Sequence, residues 1–299
     1  MRFSKSQTVI GLVLLAVLAL TVAASKPAAA QDLFITSGNA IDRIAPSGVV
    51  TPFVTGLAGP TGLAFGSNGD LYVAIFTGGK VQKVTPTGVV SDYASGFNAP
   101  QSIAFDSSGN LFVTNNTDGT VSRVTTNSAV STYASGLGSP YVPAINSANE
   151  LFVTNSGGNI LKITAPNTVT TYKSGLNLPV GMAFSTVGDL YVAQYSSNNV
   201  LRITPTGTQS VFATGLTSPR TMAFSPSGDL YVSNGINGST ISRITPVGAV
   251  STFVSGLSGS YGIAFAPTGA VVPEAGTAVL VASALAVLTI ASTYLRRRA

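Results

Sequence analysis

A block of sequence returns six times along this chain, and that periodicity limits the possible folds more than any other feature. It begins at Leu33 (LFITS) and recurs at Leu71 (LYVAI), Leu111 (LFVTN), Leu151 (LFVTN), Leu190 (LYVAQ) and Leu230 (LYVSN), at spacings of 38, 40, 40, 39 and 40 residues. A polar loop and a second short apolar segment follow each block: IDRI, VQKV, VSRV, ILKI, VLRI and ISRI. A TP-x-G-like turn then leads to a third segment holding an aromatic residue, in TPFV, SDYA, STYA, TTYK, SVFA and STFV. A Ser/Thr-Gly-Leu/Phe turn leads to the fourth, in GLAF, SIAF, VPAI, GMAF, TMAF and GIAF. Four short strands per ~40 residues, punctuated by Gly, Pro, Asn and Ser, predict an all-β propeller with one blade per repeat.

The strand count also predicts how the ring closes. The first repeat lacks a GLAF-type strand, and the last such strand, Gly262 to Phe265, has no blade after it. Six of each type are present with an offset of one, so the C-terminal strand should complete the blade begun by the N-terminal three. The expected fold is a six-bladed β-propeller of four-stranded blades over residues 32–271. The offset locks the ring in a chain that has no Cys for disulfides.

Because the repeat is internal, it separates residues that serve every blade from residues that serve one. Of 24 Phe and Tyr, 17 fall at three recurring strand positions and are expected to pack the blades. Phe97 replaces a recurring Leu, Phe3 and Tyr294 lie near the ends, and Phe76, Tyr141, Tyr195 and Tyr261 remain. Arg43, Lys83, Arg123, Lys162, Arg202 and Arg243 fill one position in all six blades. Asp32, Asp70, Asn110, Glu150, Asp189 and Asp229 fill the position just before each LYV-type strand, so antiparallel pairing should form a ring of cross-strand ion pairs. Lys80, Lys173, Arg220, Asp42, Asp92, Asp106 and Asp118 are left over.

In such a ring, the loop leading into the innermost strand and the loop after the next strand open on one face, around the channel. The first loop carries Thr61, Gln101, Tyr141, Val180, Arg220 and Tyr261; the second carries Phe76, Asn115, Asn116, Asp118, Asn155, Gln194, Tyr195 and Asn234, among others. All four unexplained aromatics and Arg220 therefore share a face, and the candidate ligand-binding residues are Tyr141, Tyr195, Tyr261, Arg220, Phe76, Gln101, Gln194 and Asn116. Asn115, Asn155 and Asn234 sit at a repeated position where an amide can simply brace a loop. An aromatic, amide-rich face with one Arg suits a neutral glycan, a peptide segment or another protein surface.

The two ends read differently. MRFSKSQ supplies Arg2 and Lys5, an apolar run follows, and SKPAAAQ offers small residues at Ala28 and Ala30. That order predicts a secretory signal over residues 1–30, removed by signal peptidase; a retained N-terminal anchor is the alternative. Residues 278–295 are uncharged and mostly apolar, long enough for a transmembrane helix, and Arg296, Arg297 and Arg298 follow directly. Positive residues stay cytoplasmic, which leaves the propeller outside and membrane-tethered. The net charge of +5 belongs to these ends: between residues 32 and 272 nine bases face nine acids, so no nucleic-acid partner is expected.

Two resemblances follow from these motifs. VPEAGT with Pro273 and Glu274, the apolar helix and the basic cluster resemble the PEP-CTERM sorting signal of Gram-negative bacteria, although Ala275 stands where a second proline is usual. The resemblance implies an exosortase partner and display at the cell surface or in the extracellular matrix; a plain anchor is the alternative. The set P-x-G-[ILM]-A-F, x-G-[DN]-L-[YF]-V and [RK]-[IV]-T-P-x-G resembles the NHL-repeat and gluconolactonase-like propellers, and RITPTG is similar to repeats of the virginiamycin B lyase family. Gluconolactonase-like relatives imply a divalent metal held by carboxylate and amide oxygens, and the lyases imply a His. This chain has no His, and none of the six residues leading the inner strands is a carboxylate. A non-catalytic binding or scaffold module without cofactor is the favoured expectation, with a lyase or lactonase-like hydrolase as the alternative.

Overall fold

The computed structural model describes residues 32–235, 240–259 and 261–267. The expected signal segment 1–30 and the sorting tail 272–299, with Pro273, Glu274 and Arg296 to Arg298, lie outside the described residues. Among the described residues no helix is long and apolar enough to cross a membrane.

Three strands open the chain: β1 (Leu33–Ser37), β2 (Ala40–Ile44) and β3 (Val50–Thr55). Blade 2 contains β4 (Pro60–Phe65), β5 (Leu71–Ile75), β6 (Lys80–Val84) and β7 (Val90–Ser95). Blade 3 contains β8 (Pro100–Phe105), β9 (Leu111–Asn115), β10 (Thr120–Val124) and β11 (Val130–Ala134). Blade 4 contains β12 (Pro140–Ile145), β13 (Leu151–Asn155), β14 (Ile160–Ala165) and β15 (Thr168–Lys173). Blade 5 contains β16 (Pro179–Phe184), β17 (Leu190–Gln194), β18 (Asn199–Ile203) and β19 (Gln209–Ala213). Blade 6 contains β20 (Pro219–Phe224), β21 (Leu230–Asn234), β22 (Thr240–Ile244) and β23 (Val250–Ser255). The last strand, β24 (Ile263–Phe265), pairs antiparallel with β1 and completes blade 1 in the order β24-β1-β2-β3. Closure by the C-terminal strand is therefore as expected; the strand starts at Ile263, and the Gly262 carbonyl just before it accepts the Thr36 amide at 3.1 Å.

The burial pattern explains why each block takes its place. Strands β1, β5, β9, β13 and β17 are buried at every residue, because blades cover both of their faces, so they read as continuous apolar runs. Outer strands such as β23 are mostly exposed and read Ser/Thr-rich. The innermost strands β4, β8, β12, β16, β20 and β24 contact one another around the ring.

The recurring aromatics form staples between blades. In five of the six blades the second-strand ring stands edge-on to the outermost-strand ring of its own blade and to the inner-strand ring of the next: Phe152 lies 5.0 Å from Tyr172 and 5.1 Å from Phe184. Such pairs add ~0.5–1.5 kcal/mol beyond area burial. Five of the six cross-strand ion pairs form, Arg43–Asp32, Lys83–Asp70, Lys162–Glu150, Arg202–Asp189 and Arg243–Asp229. Lys162, followed by Asn146, hydrogen-bonds Glu150 and holds its carboxyl below the usual range. Lys80 and Asp92, left over by the repeat, pair at 2.9 Å, and Asp106 accepts the Asn110 side-chain amide at 2.7 Å.

Candidate functional site

Register places both candidate loops on one face. The first residue of the inner strand pairs with the last of the next strand, as in Pro219↔Asn234 and Pro179↔Gln194. Main-chain bonds then tie the two loops of a blade together: the Phe76 amide donates to Gly59, Asn116 to Ala99, Ser156 to Ser139, Tyr195 to Leu178 and Gly235 to Ser218. The accepting carbonyls lie in sharp bends, and Ala99, Leu178 and Ser218 hold left-handed φ values of 51°, 51° and 49° just before a proline. That conformation costs a residue with a side chain roughly 1–2 kcal/mol, so the surrounding bonds must enforce it.

On this face the structure brings Tyr195, Arg220 and Tyr261 together. They come from three successive blades. The Arg220 guanidinium carbon lies 4.7 Å from the centre of the Tyr261 ring and 5.4 Å from that of Tyr195. Each is positioned by its backbone. The Tyr195 amide donates to the Leu178 carbonyl at 3.0 Å. Thr36, at the top of β1, accepts the Tyr261 and Gly262 amides at 3.2 and 2.7 Å. The bend before Arg220 is held by the Ser218 amide, which donates to the Asn198 side chain at 2.7 Å. Gly181 leaves room for β20, since a Cβ there would stand 1.9 Å from the Arg220 carbonyl oxygen. The Arg220 Nε is buried and finds no hydrogen-bond partner among the described residues.

The other candidates are less free. Gln194 is 5% exposed; its oxygen accepts the Asn177 amide and its nitrogen donates to Asn199, so burial and both ends of the amide tie it to the loops. Asn116 donates to the Pro140 carbonyl at 3.1 Å. Tyr141 and Gln101 are half-buried at the heads of β12 and β8, and Phe76 is 43% exposed. Neither they nor Asn116 make a described side-chain contact with the tyrosine–arginine cluster. The repeated Asn155 braces its loop, donating to Leu137 and accepting from Asn159. Asn115 and Asn234 donate to the Ser122 and Ser242 hydroxyls, and the same hydroxyls could instead donate to a carboxamide turned over.

Sequence reasoning passed over the hydroxyls that set the inner strands. Thr114 donates to the Tyr141 carbonyl and Thr154 to that of Val180, each reaching into the next blade at 2.7 Å. Thr36, Thr114, Thr154 and Ser233 occupy one position of the LYV-type block, a recurrence that was visible in the repeat.

The divalent metal of gluconolactonase-like propellers has no ligand set at this mouth. Thr61, Gln101, Tyr141, Val180 and Arg220 follow the opening prolines of β4, β8, β12, β16 and β20, Tyr261 stands two residues before β24, and Asp118 is held by the Asn98 amide at 2.6 Å. Among the described residues no three potential acidic ligands come together. A resident arginine would in any case repel a cation.

Solved propellers share this architecture. Virginiamycin B lyase from Staphylococcus aureus superposes with a TM-score of 0.59 at 21% identity, over 75% of this chain and 84% of that one. The chain has the fold of a virginiamycin B lyase-like six-bladed propeller. A chain of the nidogen/laminin complex superposes with a TM-score of 0.72 at 17% identity, over 79% of this chain and 98% of that one. A streptogramin B lyase gives 0.56 at 18% identity, over 75% of this chain and 74% of that one. No protein-family model and no curated protein matches the sequence. Likeness at these identities is one of fold, and function has to be argued from the site.

Proposed function

We propose that this chain is a non-catalytic recognition module, displayed outside the cell, that takes its ligand at the mouth of the propeller channel. The Tyr195–Arg220–Tyr261 cluster carries the reading, because three side chains from successive blades converge there and no requirement of the repeat explains them. Rigid aromatic rings and an arginine are the side chains that anchor recognition patches. The basic, apolar and small-residue order of residues 1–30, and the PEAGT motif, apolar run and arginines of the tail, support export, exosortase recognition and tethering.

A lyase or lactonase-like hydrolase is the competing reading, favoured by the likeness to virginiamycin B lyase. One structure of that enzyme is of a form made catalytically inactive by replacing a histidine with alanine. This chain has no histidine at all, and among the described residues the mouth loops carry one carboxylate, Asp118, where acid and base roles call for a pair.

The test is a ligand screen of the full-length chain on glycan and peptide arrays, followed by titration of the hits. Tyr195→Ala, Tyr261→Ala and Arg220→Ala should each weaken binding by ~1–3 kcal/mol while leaving the unfolding midpoint nearly unchanged. EDTA should not alter binding. Turnover of a bound ligand that is lost on chelation and restored by calcium or magnesium would overturn the reading in favour of the enzyme.

A further inference from the structure

The cation at the mouth has no counter-charge. Lys80, which the repeat also leaves unexplained, pairs with Asp92, and five of the six repeated bases pair with acids of their own blades. Arg220, like Arg123 and Lys173, makes no ion pair among the described residues, and its neighbours are two phenol rings. Its Nε is buried without a partner, and a desolvated guanidinium gains most from an anion presented to its fork. The residues at the equivalent place in the other five blades are uncharged, and Asp118 in the surrounding loops is bound by the Asn98 amide, so among the described residues Arg220 is the one charge where the inner strands open.

The inner strands narrow what kind of anion can reach it. At Gly62, Gly181 and Gly262 a Cβ would lie 2.4, 1.9 and 2.4 Å from the neighbouring inner strand. Below the mouth β4 thus lies hard against β8 and the chain entering β24, and β16 against β20, so a peptide cannot thread between those strands to add one by main-chain pairing. What remains is recognition by side chains: a carboxylate for Arg220 and an apolar ring face for the tyrosines.

Resting on the recognition reading above, we propose that the mouth binds an acidic glycan, with a uronic acid carboxylate on Arg220 and its sugar ring against Tyr195 or Tyr261. Titration of the full-length chain with an oligogalacturonate and with its methyl ester separates the two ideas, because the ester keeps the rings and loses the charge. The acid should bind ~10–100-fold more tightly than the ester, as loss of charge-assisted hydrogen bonds implies, and its binding should weaken with added salt. Arg220→Gln should erase the preference for the acid, and Arg220→Lys should keep part of it; a melting curve for each variant establishes that it is folded. Equal binding of acid and ester, or a preference that survives Arg220→Gln, would overturn the acidic assignment. If Tyr195→Ala still weakened both oligomers in that case, the mouth would stand as the binding site and only the ligand class would fall. A peptide with a free C-terminal carboxylate that competes better than the acid oligomer would overturn the glycan assignment, as would failure of the acid oligomer to bind.

Discussion

The junction between blades 6 and 1 and the junction between blades 3 and 4 come from the same repeat but hold by different means. At the first, Tyr231 stands 4.9 Å from Phe253 and 5.0 Å from Phe265, and Arg243 pairs with Asp229 at 2.7 Å beside a cleft of ≈ 280 Å³. At the second, Phe112 meets Tyr133 at 4.9 Å, but Ile145 stands where the next blade would offer a phenylalanine. Asn110 stands where the acid belongs and donates to Asp106, four positions earlier, while the Arg123 Nε is buried without a partner. A ring closed by its own main chain tolerates one junction without its third ring and its ion pair. The staples are therefore increments on a topology, and each can be removed or restored singly.

The largest effect should come from the topology itself. Deleting residues 262–265 removes β24, exposes the inner edge of β1, and should abolish cooperative unfolding. A truncated chain with an unchanged melting temperature would mean that closure is not what holds blade 1. Next come the rings. Phe152→Ala and Phe112→Ala should each cost ~3–5 kcal/mol in urea unfolding as core truncations. Phe152→Ala should be costlier by ~0.5–1.5 kcal/mol, because Phe152 contacts two rings and Phe112 one. Equal costs would erase the distinction between the junctions. The smallest effect should come from rebuilding the missing pair. Asp106→Ser with Asn110→Asp copies the Ser225 and Asp229 arrangement of blade 6 and gives Arg123 a carboxylate, which should stabilise by ~0.5–1 kcal/mol. A loss of stability would show that Arg123 is already satisfied in another way.

The blade count, the closure and the aromatic staples were legible because six copies of one unit, set side by side, show which positions never change character. The Lys80–Asp92 pair was not. A bulge between Val81 and Gln82 shifts the register of β6 on β7, and an irregularity of that kind leaves no mark in a period of forty. The shared face of Tyr195, Arg220 and Tyr261 followed from loop order alone. Their convergence on one guanidinium did not, since it depends on the left-handed Ser218 and on the space left at Gly181. Gln194 misled for a related reason: its side chain reads as polar and available, and only the fold reveals that both ends of the amide are used within the loops.

The seam in blade 1 also has a mechanical meaning. Leu33 pairs with Phe265, so the chain enters β1 and leaves β24 at the same end of the blade, opposite the end that holds Tyr261. A pull applied at the last described residues would therefore come from the end of the blade away from Tyr261. A load applied there runs along β24 and passes into the β24–β1 ladder, first at the Ala266 amide on the Asp32 carbonyl at 3.0 Å. The device that closes the ring is thus also the part through which such a pull reaches the rest of the propeller.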